Sequence, residues 1–435
     1  MSDYFTIKGL SGKRTLEGTI RVIGAKNAAL KAIAASILYK TPLQLTNVPH
    51  IEDVSRIIDI LTEMGGSAIF SDHSVKIDTS KLTSTVLTPE IAKRLRASVV
   101  LTGPILARHG RVQFPHPGGC VIGERPIDLF IEGYGKMGAS ITHKGKFYDI
   151  KAPKGGLRGA EIFFRLASVT GTETFMMAAT LAKGTTVIKN AAMEPEIKWL
   201  AEMLNASGAH IEGAGTSTIT IKGGSALMMP KKHSGTHNPF HIVPDRIEAG
   251  SFIILGALAA KRITLTHVVP EHLGSLIEML KYSGTDISFT KDTITIVAPK
   301  KKKELRAVSV RTHEYPGFPT DLQAPLMIYL TQAKGESLVF ETIFEGRLNY
   351  TESLERMGAH ITMMDPHRVL VNGPAKLKGR MLESPDLRAG LAFVIAGAIA
   401  TGNSEIHNVY NIDRGYECIE ERLRSIGLSI VRKHA

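Results

Sequence analysis

Six stretches of this chain are almost wholly apolar and rich in alanine and glycine: 27–39, 97–107, 169–182, 249–260, 322–332 and 387–400. Each has helical length, and a helix that is apolar around its whole circumference has to be buried. Alternating segments of period two follow: LQLTNV at 43–48, TVIKNA at 186–191, ITLTHV at 263–268 and SEIHNV at 404–409. These predict strands with one face in a core. A more polar helix comes next. It ends in LTEMGGSAI, YGKMGASI, LNASGAHI, LKYSGTDI, LERMGAHI or LRSIGLSI, with glycines at Gly65, Gly138, Gly208, Gly284, Gly358 and Gly427. A glycine just past a helix is a capping signal, and the isoleucine after it predicts another strand start.

The glycines lie 69 to 76 residues apart. Six units of that length are too long and too few for a simple solenoid. A chain of 435 residues also exceeds what one hydrophobic core usually serves. The expectation is an α/β fold of two domains with three units each. The Gly-, Pro- and Ser-rich stretch 223–244 is the expected junction.

With 43% hydrophobic and 22% charged residues the composition is that of an ordinary globular protein. Two cysteines make no disulfide framework, which points to a reducing cytoplasm. No secretory leader is evident, and no apolar run is long enough to span a bilayer. The formal charge of +12 calls for anionic ligands. Aromatic residues make up only 6%, and no basic stretch interleaves with them as single-strand nucleic-acid binding requires. Small anionic substrates are therefore expected, with no nucleic acid and no membrane partner. His233, His237 and His241 have regular spacing, but no acid or cysteine completes a ligand set, so no metal is expected.

The candidate chemistry starts in PGGCVIGERPIDLF, 117–130, where Cys120 sits in a glycine-rich loop before Arg125 and Asp128. A neighbouring guanidinium lowers a thiol pKa, and arginine presents a planar fork to phosphate or carboxylate. Polar residues also mark the starts of the buried helices: Lys26 and Asn27; Arg94 and Arg96; Asp245, Arg246 and Glu248; Asp321; Asp386 and Arg388. Arg414 follows in NIDRGYE. Singly, each reads as a helix cap or surface ion pair. Together they gather cations where free helix N–H groups already favour anions. Cys418, in YECIEERL, is expected to be packed on a helix.

With these residues in order, the chain resembles the UDP-N-acetylglucosamine enolpyruvyl transferases of the EPSP synthase-like superfamily. The resemblance runs from GAKNAAL at Gly24 to IDRGYE at Ile412. It includes LRAS, PGGCVIG-RP-DL, NAA-EPEI, PDRIE, FPTD-QA, E--FE-R and DLRA. It implies an inside-out α/β barrel pair, with an N-terminal three-repeat domain at 23–235 that carries the Cys120 lid loop. Residues 1–22 and 236–435 would form the second domain. The implied reaction moves the enolpyruvyl group of phosphoenolpyruvate to the 3′-hydroxyl of UDP-N-acetylglucosamine and releases phosphate, with no cofactor. It opens peptidoglycan synthesis, which connects it to cell wall, cell shape and cell division, and it is a fosfomycin target. A monomer or weak oligomer is expected.

The resemblance also assigns roles. Cys120 would be the general acid. Lys26, Asn27, Arg125 and Arg414 would hold phosphoenolpyruvate. Asp321 would orient the sugar hydroxyl and accept its proton. Arg96, Arg125, Pro126, Ile127, Asp128, Leu129, Ser168, Val169, Asp321 and Ile343 would contact the UDP-sugar, with Asp53 and Arg388 supporting closure. Glu124, Phe130, Lys31, Gly346 and Leu166 depart from the common pattern without removing a group the reaction needs. The competing readings are transfer to another acceptor, such as shikimate 3-phosphate, and a non-catalytic anion-binding paralogue.

Overall fold

The computed structural model describes residues 3–115, 127–145, 147–224, 226–230, 238–299 and 304–434; the side chains of Lys93, Arg94, Arg96 and Lys144 are not among the described groups. The chain divides into two compact units. The described residues of 24–243 form a central unit, and those from the chain's start up to Ile23 together with Pro244 onward form a split unit.

The central unit holds α1 (Lys26–Ala35), α2 (Glu52–Glu63), α3 (Pro89–Arg94), α4 (Thr102–His109), α5 (Asp128–Lys136), α6 (Val169–Thr180) and α7 (Pro195–Ala206). Residues 28–35 of α1 and 171–180 of α6 are buried without exception. Small residues make this possible: a Cβ on Gly103 of α4 would sit 2.4 Å from the Thr174 carbonyl oxygen of α6. Three sheets surround these helices. In the first, Leu43–Thr46 pairs parallel with Phe240–His241 and antiparallel with Ser74–Asp78, which also pairs with Ser67–Ser71. The third repeats that scheme with Glu161–Phe163, Thr185–Lys189, Thr218–Lys222 and His210–Glu212. The second is Arg111–Pro115, Phe147–Lys151 and Ser140–Lys144.

The split unit holds α8 (Arg246–Ala259), α9 (Gly274–Ser283), α10 (Gln323–Leu330), α11 (Thr351–Arg356), α12 (Leu387–Ile399), α13 (Tyr410–Asp413) and α14 (Ile419–Ser425). Every residue of α8, α10 and α12 is buried. Three sheets again surround them, each with one parallel pair and an antiparallel partner. In one sheet the N-terminal strand Tyr4–Lys8 lies between Asn403–His407 and Ser429–Lys433. Among the described residues no sheet closes on itself; the architecture is six open sheets, three to a unit.

The six predicted helices are all present, and all six repeat glycines are left-handed, with φ between +85° and +113°. Only glycine adopts this region freely, which explains its recurrence at the turn into the next strand. The four predicted strands end earlier than alternation alone suggests. LQLTNV forms a strand only over Leu43–Thr46, because Asn47 is left-handed. Asn190, His267 and Asn408 do the same at equivalent places, with φ between +54° and +58°. Asparagine tolerates this conformation best among residues with a side chain. Its amide is used too: Asn47, Asn190 and Asn408 donate to the carbonyls of Ile242, Phe164 and Ser384, beside each parallel strand.

Candidate active site

Lys26 opens α1, behind the extended residue Ala25. Its Nζ lies 2.7 Å from Oδ2 of Asp53, in the first turn of α2, and both side chains are largely buried. Asp53 is thus a direct partner of Lys26. Asn27 follows in the first turn, half-buried. An ammonium beside unsatisfied helix N–H groups provides a seat for phosphate or carboxylate.

Ile127 is the buried N-cap of α5, and Asp128 and Leu129 form its exposed and half-buried first turn. Ser168 caps α6 by accepting a hydrogen bond from the Gly171 amide at 3.0 Å, with Val169 beginning the helix. Gly171 brings the two helix starts together: a Cβ there would lie 3.0 Å from both Leu129 Cδ1 and Ser168 Oγ. Ile127, Asp128, Leu129, Ser168 and Val169 therefore belong to one neighbourhood. Arg96 opens a short 3-10 helix, Arg96–Leu101, and only its backbone is described. Cys120, Arg125 and Pro126 lie outside the described residues, as does Glu124.

In the split unit Asp321 lies in a 3-10 turn, Thr320–Leu322, just before α10. Arg347 donates to its Oδ1, and Arg388 donates to Oδ2 at 2.7 Å. Both guanidiniums are buried, and Arg388 also donates to the Tyr416 hydroxyl at 2.9 Å. Burial alone would raise the Asp321 pKa; the charges of Arg388 and Arg347 outweigh it and hold the carboxyl far below its usual range. Burial works against the Arg388 charge, yet the facing Asp321 carboxylate raises its pKa above the ordinary value. Arg388 is therefore a direct partner of Asp321. A carboxylate held in this way is a weak base and a well-oriented anion.

Glu341 ties the neighbouring loops to this group. One of its oxygens accepts from Thr312 Oγ1 at 3.0 Å and from the amides of Ile343 and Phe344; the other accepts from Thr320 Oγ1 at 2.8 Å. Ile343 is thereby fixed to the turn that carries Asp321. Arg414 caps the end of α13, and the next residue, Gly415, packs so tightly on Leu387 that a Cβ would approach it to 2.8 Å. With Tyr416 bound to Arg388, this contact brings the Arg414 segment to the start of α12. Asp321, Ile343, Arg388 and Arg414 thus form one connected group in the split unit.

Arg347 and Glu341 were not singled out by sequence reasoning, although both lie in the E--FE-R stretch. A lone arginine has no spacing signal; only the fold reveals its partner. Asp245 and Asp386 are helix caps, each accepting two backbone N–H groups. Glu248 pairs with Arg422. Cys418 is exposed rather than packed: it is the left-handed residue before α14, and the helix begins only at Ile419. No helix among the described residues is long and apolar enough to cross a membrane.

Residues 10–423 match the family described as EPSP synthase (3-phosphoshikimate 1-carboxyvinyltransferase), so the chain belongs to that family of transferases. Within it, the chain is 41% identical over 423 residues to a UDP-N-acetylglucosamine 1-carboxyvinyltransferase of a Nitratiruptor species, covering 97% of this chain and 98% of the relative. A protein of the same description from Sulfurimonas denitrificans is 41% identical over 432 residues, covering 99% of each. The resemblance read from the motifs and these end-to-end matches agree. The enolpyruvyl transferase NikO of Streptomyces tendae has the same fold, with TM-score 0.86, 22% identity and full coverage of both chains. An EPSP synthase structure from Acinetobacter baumannii follows at TM-score 0.75, 19% identity and full coverage.

Proposed function

We propose that this chain transfers the enolpyruvyl group of phosphoenolpyruvate to the 3′-hydroxyl of UDP-N-acetylglucosamine and releases inorganic phosphate. The observation that carries this reading is the 41% identity, nearly end to end, with relatives described by that acceptor. In the reaction C3 of phosphoenolpyruvate gains a proton and C2 becomes electrophilic. The sugar hydroxyl then bonds to C2. Loss of the C3 proton and departure of phosphate restore the double bond in the product.

Cys120 is the proposed donor to C3. Lys26, Arg125 and Arg414, with Asn27, hold the two anionic groups of phosphoenolpyruvate; binding both reactants in register can lower the barrier by several kcal/mol. Asp321 aligns the hydroxyl. Pinned by Arg347 and Arg388, it is too weak a base to ionise a free alcohol. The attacking oxygen becomes strongly acidic once it bonds to C2, so a weak base suffices at that point. Ser168 and the start of α5 belong to the UDP-sugar side. The same reading places the protein in the cytoplasm, at the first committed step of peptidoglycan synthesis, and makes Cys120 the residue that fosfomycin would alkylate.

Phosphate release tests the assignment. It is expected only when phosphoenolpyruvate and UDP-N-acetylglucosamine are both present. Release with shikimate 3-phosphate in place of the nucleotide sugar would transfer the assignment to that acceptor. No release with any acceptor, together with salt-sensitive binding of anions, would favour a non-catalytic paralogue.

A further inference from the structure

Lys31 of α1 and Glu173 of α6 form an ion pair inside the central unit, with Nζ 3.0 Å from Oε2 and side-chain exposures of 6% and 0%. The proposed chemistry does not use it. Burial pushes the Glu173 pKa up to about 7; Lys31 works in the opposite direction, and Glu196 and Glu194, at the start of α7, add to the rise. Exchanging such a pair for neutral side chains of similar size is often neutral or stabilising, and the best-attested use of a buried polar pair is to fix register.

α1 and α6 each pack on α7 and on the 3-10 segment Arg96–Leu101 and, among the described residues, touch each other little. Ridge-and-groove packing between the two therefore specifies their relative axial position weakly, and the ion pair joins them directly. The pair also lies at matching depth. Lys31 is five residues beyond Lys26, and Glu173 is five beyond Ser168. At about 1.5 Å per residue each member sits roughly 7.5 Å along its helix from a candidate site residue.

We propose that Lys31 and Glu173 are positioning residues, whose ion pair sets the depth of α1 against α6 and so the placement of Lys26 and Asn27 relative to Ser168 and Val169. Its kinetic consequence rests on the function proposed above; its structural consequence does not. The test is the double variant Lys31→Met with Glu173→Gln, compared with wild type by thermal unfolding, amide hydrogen exchange and steady-state kinetics. The unfolding midpoint is expected within about 3 °C of wild type or higher. Exchange in the second turns of α1 and α6, where the amides are hydrogen-bonded within the helix, should be about tenfold faster. The KM for phosphoenolpyruvate should rise about tenfold with kcat changed less than about threefold.

A folded double variant with wild-type exchange in both second turns overturns the proposal, whatever its kinetics. Should wild type itself show no turnover, the functional reading falls and the exchange comparison still decides this one. Should the double variant fail to fold, Lys31→Arg keeps the charge and Glu173→Gln removes it. Near-wild-type protection in the first and faster exchange in the second supports the pair; equal protection in both overturns it.

Discussion

In the split unit the Asp321 carboxylate is gripped by two guanidinium groups, and one of them is braced in turn by Tyr416. In the central unit Lys26 meets Asp53 with an ammonium, a compact charge that can rotate toward a new anion without dismantling its surroundings. The first arrangement is planar, forked and buried, and it costs a great deal to disturb. The second is built for exchange of partners. Under the proposed function, the difference separates a fixed orienting anion from a cation that can trade a carboxylate for a substrate phosphate.

Four substitutions or conditions sharpen that contrast. Lys26→Met should have the largest effect: phosphate release is expected to fall by about 10³-fold, of the order found when a preorganised charge-stabilising group is lost. Unfolding stability should fall too, by about 1–2 kcal/mol, because the buried Asp53 carboxylate loses this ammonium. Asp321→Asn should cost more in stability. It strands two buried guanidiniums, so unfolding in denaturant should show a loss of about 3 kcal/mol.

The pH dependence of that loss follows from the depressed Asp321 pKa. A carboxyl held below its unfolded value contributes stability that is fully present above the ordinary carboxylate range. That contribution disappears as pH falls through the depressed value. The gap between wild type and Asp321→Asn should therefore stay constant from about pH 9 to 5 and narrow only below the ordinary carboxyl pKa of about 3.9. A gap that already closes near pH 6 would contradict the pinned carboxylate. The smallest effect belongs to Ser168→Ala, which removes the cap of α6 and should cost about 1 kcal/mol in the same unfolding measurement.

The repeat was readable from the sequence because its signals are local. A helix apolar all round has to be buried, and a glycine past a helix marks the turn, so the six helices and six left-handed glycines stand where the pattern put them. The strand ends were not readable, since alternation continues through Asn47, Asn190 and Asn408 while the backbone has already turned left-handed. Candidate site residues were legible wherever a polar residue begins an apolar helix, as Lys26 and Asp321 do. It was illegible where meaning depends on a distant partner. Arg347 acquires its role from Asp321, 26 residues away in sequence, and Glu341 from four separate donors. Lys31 looked like a simple departure from the family pattern until Glu173 appeared beside it.

Proton and phosphorus NMR on a single mixture of protein, phosphoenolpyruvate and UDP-N-acetylglucosamine tests the central claim most directly. The account predicts that vinyl signals of a new sugar ether grow in step with inorganic phosphate, and that neither grows when either substrate is left out. Phosphate appearing without the ether, or neither appearing from folded protein, would contradict it.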